Sequence, residues 1–172
     1  MTRIRDAYED DLQAIYDVVE AAFGGLEECQ LIERLYGDGL VQASMVAVED
    51  GEIVGHILFS ALEITDSEHK QSLKAVALAP VAVAPTHQGL GIGSELIRQG
   101  IEKCKELDLD AIVVLGHAAY YPRFGFSSEI AECLKSPFSG PNFMVLPLVQ
   151  GIFNDFFGIV TYPDAFGLPT QQ

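Results

Sequence analysis

The stretch THQGLGIGSELI (86–97) constrains this chain more than any other. Three glycines alternate with other residues, and a helical apolar pattern follows at once. Over 91–107, Ile92, Leu96, Ile97, Ile101, Cys104 and Leu107 fall on one face. Glycine loses more conformational entropy on folding than any other residue, so glycines directly ahead of a helix need a compensating use. A helix begins with backbone N–H groups that lack acceptors and with the positive end of its dipole. Glycines in front of it let backbone reach a ligand without Cβ collision. Together these features make a cradle for phosphate.

Three kinds of cradle use such a loop. The nucleoside-triphosphate loop needs Gly-Lys followed by Ser or Thr, and there is no lysine here. The dinucleotide fingerprint G-x-G-x-x-G opens a parallel crossover unit. Read from Gly89, Ser94 stands where the third glycine belongs, and a reading from Gly91 also fails. The third pattern is Gln or Arg, two residues, Gly, one residue, then Gly or Ala. Gln88, Gly91 and Gly93 fill it without adjustment.

The surroundings read as mixed α/β. RIR (3–5) suits a short first strand. Leu12, Ile15, Val18, Val19, Ala22 and Phe23 repeat at helical spacing. Asp6 and Glu9 are placed like a capping box, and Gly24-Gly25 stops the helix. EECQLIERLYGDG reads as a second short helix. Two β-rich runs flank Asp50-Gly51, a favoured hairpin turn. LKAVALAPVAVAP (73–85) reads as a third long strand; Pro80 inside it predicts a local irregularity. DAIVVLG (110–116) reads as a buried strand, HAAYYPRFGF as a short helix ending at Gly125, and FMVLPLV (143–149) and FFGIVTY (156–162) as two closing strands.

At 172 residues the chain fits one domain, 1–172. No apolar run approaches the ~20 residues of a membrane span, and the acidic start is unlike a secretory signal, so the expected location is the cytoplasm. The net charge is −15 with only ten Lys and Arg, the wrong sign for a nucleic-acid binder. Residues 1–70 hold 16 Asp and Glu against four Lys and Arg, which suits either a solvated face or attraction of a cationic substrate. Cys29, Cys104 and Cys133 match neither a disulfide framework nor a zinc site and read as small buried hydrophobes. No metal is expected.

The Gln88–x–x–Gly91–x–Gly93 pattern, after a strand ending in Val-Ala-Pro, resembles the pyrophosphate-binding motif of the GCN5-related N-acetyltransferases (GNAT). YYPRFGF (120–126) is similar to that superfamily's second signature, a tyrosine, three residues, then Gly-Phe. GHILFS (55–60), VVLGHAAYYPRFGF (113–126) and GIVTYPDAF narrow the resemblance to a subfamily of small bacterial N-acetyltransferases, over nearly the whole chain. The resemblance implies an α/β fold with a mixed, mostly antiparallel sheet, flanked by helices, with a V-shaped splay between the fourth and fifth strands. It implies acetyl-CoA as co-substrate. The diphosphate would sit on amides of Gln88, Gly89, Leu90, Gly91, Ile92, Gly93 and Ser94, and the pantetheine arm on backbone at Val81 and Val83. Arg123 is either a phosphate contact or a surface arginine.

The implied reaction is direct attack of a primary amine, of a small molecule or a peptide, on the thioester. The amine must be neutral, and a free alkylammonium has a pKa near ~10, so a base or a desolvating site is needed. The departing thiolate wants a proton. By motif position Tyr121 is the general acid, against the alternative of a packing aromatic. The strand 73–83 carries no carboxylate, so the base stays open among His56, Glu27 or Glu28, His117 and a water chain. His69 and His87 read as loop residues. The missing carboxylate keeps a second function open, a non-catalytic acyl-CoA-binding sensor or regulatory module. Apolar segments such as GIFNDFFGIV are suited to closing a homodimer.

Overall fold

The computed structural model describes residues 1–68 and 71–167; His69, read above as a loop residue, lies outside them. Eight strands pair into one sheet in the order β1-β2-β3-β4-β5-β7, with β8 pairing both β3 and β6. All pairings with a described register are antiparallel except β4 with β5 and β6 with β8. The chain divides into two compact units, Met1–Ser60 with Leu78–Cys104, and Ala61–Ala77 with the chain from Lys105 on. Among the described residues no helix is long and apolar enough to cross a membrane.

The first unit opens with β1 (Arg3–Asp6), α1 (Leu12–Phe23) and α2 (Glu27–Gly37). Helix α1 buries Ile15, Val18 and Val19 and ends at Gly24, whose φ is +77°. The expected Asp6–Glu9 capping box does not form. Asp6 is the last residue of β1, and the Asp11 carboxylate accepts the Tyr8 N–H at 2.7 Å while also binding Arg5. Phe23, expected on the buried face, is 46 % exposed at the helix end. Strands β2 (Val41–Glu49) and β3 (Glu52–Asp66) form the expected hairpin, with Asp50 and Gly51 both at positive φ. That turn type matches the right-handed twist of the strands it joins.

Helix α3 (Ile92–Glu106) packs on the face of β3 that carries Gly55, Ile57 and Phe59. A Cβ at Gly100 would stand 2.5 Å from the Phe59 ring, and one at Gly55 would stand 3.0 Å from Leu96. The two glycines set how closely helix and strand approach. Ile57 and Phe59 are fully buried beneath them, each worth ~1.5–3 kcal/mol of burial. Leu107, expected on the apolar stripe, lies past the end of α3 and is 43 % exposed.

In the second unit β5 (Ala111–Leu115) lies between two partners. It runs parallel to the first half of β4 (Ser72–Val83) through Ala75–Ala77, and antiparallel to β7 (Phe143–Pro147). Buried on both sides, it reads as a continuous apolar run. Asp110 fixes the start of the parallel pair: its N–H donates to Lys74 O at 2.7 Å and its carboxylate accepts the Lys74 N–H at 2.8 Å. Strand β8 (Gly158–Thr161) pairs the far half of β3 and the two-residue β6 (Leu134–Lys135). Sequence reading missed β6, which is too short to show alternation. Cys133 beside it is half-exposed, whereas Cys29 and Cys104 are buried. Within β4 the Ala79–Pro80 peptide is cis.

Candidate active site

The glycine loop forms as the sequence implies. A short 3-10 turn over Pro85–His87 follows β4, and α3 starts at Ile92. Gly89 and Gly91 have φ of +78° and +83°. These are left-handed conformations that cost a residue with a Cβ ~1–2 kcal/mol. Nothing lies within 4 Å of where a Cβ would stand at either position, and at Gly93 only Val83 Cγ2 does, at 3.6 Å. The glycines therefore do not relieve internal crowding. They bend the loop and leave open space at residues 89 and 91, just ahead of α3 with its positive dipole end; within the first turn the Glu95 N–H donates to Gly91 O at 3.1 Å. A diphosphate fits that space and that chemistry.

The Gln88 side chain, exposed and polar, turns back and donates from Nε2 to Val83 O at 3.0 Å. This clamps the loop to the end of β4 and gives Gln88 a role in shaping the cradle. His87 supplies a second tie: its Nε2 lies 2.9 Å from Glu49 Oε2 at the end of β2, and its Nδ1 lies 2.8 Å from Thr86 Oγ1. Glu49 in turn accepts the Thr2 hydroxyl at 2.9 Å, and that bond holds its carboxyl below the usual range. Sequence reading took His87 as a plain loop residue, because its partner is 38 positions away and pairs with it only through the fold.

At the end of β4 the Ala84 N–H donates to Val54 O of β3 at 2.8 Å. By strand alternation Val83 and Val81 turn their backbone groups to the opposite edge. Both are half-buried. Described pairs between β4 and β5 run only from Ala75–Ala111 to Ala77–Val113.

Tyr121 begins a 3-10 turn over Tyr121–Phe124, ended by Gly125 at φ +100°. Its N–H donates to His117 O, and its ring is wedged against Gly116, where a Cβ would meet ring carbons at 2.3 and 2.8 Å. Tyr120 and Phe126 hold the ring edge-on at centroid distances of 5.2 and 5.7 Å. Tyr121 is 8 % exposed, and burial raises its pKa, aided by Tyr120. The hydroxyl therefore carries its proton at neutral pH. Gly116 was missed in the sequence; the signal was a glycine closing β5 shortly before the tyrosine pair. Arg123 donates from Nε to Tyr120 O and stacks 4.4 Å over that ring.

His56 is fully buried on β3, with Nε2 2.9 Å from Ser44 Oγ of β2. Desolvation lowers its pKa to about 3, so it is neutral at physiological pH. Its Nδ1 and the Ser60 hydroxyl are buried without a hydrogen-bond partner among the described residues. Glu27 and Glu28 stand in the first turn of α2, and His117 is exposed after β5.

A family model described as an acetyltransferase (GNAT) domain matches residues 3–128, and the chain belongs to the GNAT acetyltransferase family. It is 40% identical over 120 residues to the "Uncharacterized N-acetyltransferase YjhQ" of Escherichia coli strain K12, a match covering 69% of this chain and 65% of YjhQ. It is 29% identical over 159 residues to YhbS of the same strain, covering 91% of this chain and 93% of YhbS. The crystal structure of Escherichia coli YhbS in complex with CoA superposes with a TM-score of 0.87 at 28% identity, covering 97% of this chain and 92% of that one. A GNAT family acetyltransferase from Brucella melitensis in complex with acetyl-CoA gives 0.78 at 30% identity, covering 96% and 98%.

Proposed function

We propose that this protein is an acetyl-CoA-dependent N-acetyltransferase acting on a primary amine of a small molecule or peptide by direct attack. The observation that carries the reading is the open cradle over residues 88–94, bent by Gly89 and Gly91 and clamped to β4 by Gln88. The complexes of similar proteins with CoA and acetyl-CoA support it.

Acetyl-CoA supplies the activated acyl group as a thioester. The chain's own residues bind, orient and move protons. Backbone amides from Gln88 to Ser94 and the α3 dipole hold the diphosphate, which lets an acidic protein bind an anionic ligand with few formal positive charges. Val81 and Val83 offer backbone groups to the pantetheine arm; the Val83 carbonyl is shared with Gln88. Tyr121, kept protonated by burial, donates to the departing thiolate. His56 is fully buried, stores a proton poorly at a pKa of about 3 and has no partner on Nδ1 among the described residues to carry a proton onward, so the amine's proton leaves by Glu27 or Glu28, His117 or a water chain. The two compact units serve as one acetyltransferase domain, in the cytoplasm. Exposed Phe157 and Ile159 are suited to closing a homodimer.

The test is a thiol-release screen with acetyl-CoA over amines, amino acids and peptide N-termini, run on the wild type and Tyr121→Phe. Turnover that drops in the variant while acetyl-CoA affinity holds supports the reading. Cofactor binding with no turnover across the panel overturns it in favour of an acyl-CoA sensor, a reading that the carboxylate-free β4 (Ser72–Val83) keeps in view. Thermal protection by nicotinamide dinucleotides or ATP instead of acetyl-CoA overturns both.

A further inference from the structure

Resting on that reading, we infer that Arg123 is a positioning residue: its guanidinium clamps the Tyr120–Tyr121 peptide and the Tyr120 ring together, and so fixes the Tyr121 ring, the proton donor, in one orientation.

The clamp is built within one short stretch of the second unit. Arg123 stands in the 3-10 turn Tyr121–Phe124, one residue after Pro122. The proline ring presets its own φ and so limits the freedom between Tyr121 and Arg123. The arginine side chain is exposed, yet it folds back onto Tyr120. Its Nε donates to Tyr120 O at 2.8 Å, and its Cζ lies 4.4 Å from the centroid of the Tyr120 ring. The Tyr120 carbonyl belongs to the same peptide unit as the Tyr121 N–H, and that N–H donates to His117 O at 3.3 Å. The peptide that carries the Tyr121 side chain is therefore held at both ends. The His117 bond is longer than the usual range, so the charge-assisted bond from Arg123 is the stronger of the two.

A second route runs through the rings. Tyr120 meets Tyr121 edge-on, with centroids 5.2 Å apart and planes at 84°, and meets Phe124 edge-on at 5.3 Å. Gly116 and the buried Phe126 bound the Tyr121 ring elsewhere. Those walls are set by packing. The Tyr120 wall is only half-buried, and the guanidinium over its face is what a tilt of that ring would give up. Arginine suits both routes at once, because the donating Nε lies in the same rigid plane that stacks on the ring. A lysine ammonium is a point charge on a flexible stem and cannot lay a plane on the ring while donating from its edge. The two roles left open by the sequence, a phosphate contact and a surface arginine, give Arg123 no tie to Tyr121, so experiment separates all three.

The experiment takes Arg123→Ala and Arg123→Lys, each alone and combined with Tyr121→Phe, through thiol release with acetyl-CoA and through thermal melts. Fluorine NMR of the fluorotyrosine-labelled protein follows the Tyr121 ring, whose signal is the one lost in Tyr121→Phe. Removing one hydrogen bond and one exposed cation–π contact should lower kcat on the order of tenfold in both variants, with the KM for acetyl-CoA and the melting temperature near wild type. Combined with Tyr121→Phe, the same substitutions should cost less than about twofold, because no acid is left to orient. The Tyr121 signal should move toward that of free fluorotyrosine in both. A raised KM with kcat intact marks a phosphate contact and overturns the clamp. Equal losses with and without the Tyr121 hydroxyl mark a merely structural role and overturn it too, as does full kcat in Arg123→Lys. Should Arg123→Ala not fold, Arg123→Lys carries the same comparisons. If no amine turns over, or Tyr121→Phe matches wild type, the acid reading falls and the fluorine signal alone decides the clamp: displaced, it stands; unmoved, it falls.

Discussion

Replacing Gly116 by alanine drives a methyl group into the Tyr121 ring. The new Cβ would stand 2.3 Å from Cε2, 2.8 Å from Cδ2 and 3.3 Å from Cζ, where carbon–carbon contact wants ~3.5–4.0 Å. The ring must retreat by more than ~1 Å. It cannot swing freely, because Tyr120, Phe124 and Phe126 flank it at centroid distances of 5.2, 6.4 and 5.7 Å. Overpacking of this kind costs ~1–3 kcal/mol, a fall in Tm of ~2–4 °C per kcal/mol for a chain of this size. A catalytic group displaced by ~1 Å loses on the order of 10²-fold in rate. The assay is thiol release with saturating amine, paired with the KM for acetyl-CoA and a melt. The expected result is kcat down ~10²-fold, acetyl-CoA KM near wild type, and a modest loss of Tm. Adding Tyr121→Phe should cost little more, because both substitutions remove the same proton donor. A folded Gly116→Ala protein with wild-type kcat would refute Tyr121 as the acid.

Three further outcomes follow from the geometry. Gly91→Ala, at φ +83°, should raise the KM for acetyl-CoA, whereas Gly93→Ala, which meets only Val83 Cγ2 at 3.6 Å, should leave the melting temperature near wild type; initial rates against acetyl-CoA and melts read the two. His87→Ala or Glu49→Gln should loosen the tie between the cradle and β2 and raise that KM by up to roughly five-fold with kcat little changed, and a kcat loss without a KM change would contradict it. His56 binds its proton only near pH 3 when folded, against an ordinary 6.5, so the unfolded chain takes up the proton first and stability falls as pH drops below 6.5, by up to about 1.4 kcal/mol per unit. Urea midpoints between pH 6.5 and 5 should slope accordingly, and the slope should flatten in His56→Gln.

What the sequence determined by itself is local. Glycines at 89 and 91, a helix that must start after them, an Asp50-Gly51 turn and an apolar β5 each follow from backbone sterics and periodicity within a few residues. The loop was legible because glycine ahead of a helix has few other uses. Tertiary structure decided what depends on partners distant in the chain. His87 gained a strut because β2 ends beside it, and His56 became neutral because two strands and their cover bury it. Asp11, rather than Glu9, took the exposed amide because β1 runs one residue longer than its pattern showed. Gly116 matters only because the chain returns five residues later to set an aromatic ring on it, and β6 exists only because β8 offers it an edge. Side-chain contacts of this range carry no periodic signature, so only the folded chain reveals which polar groups meet and which lose water.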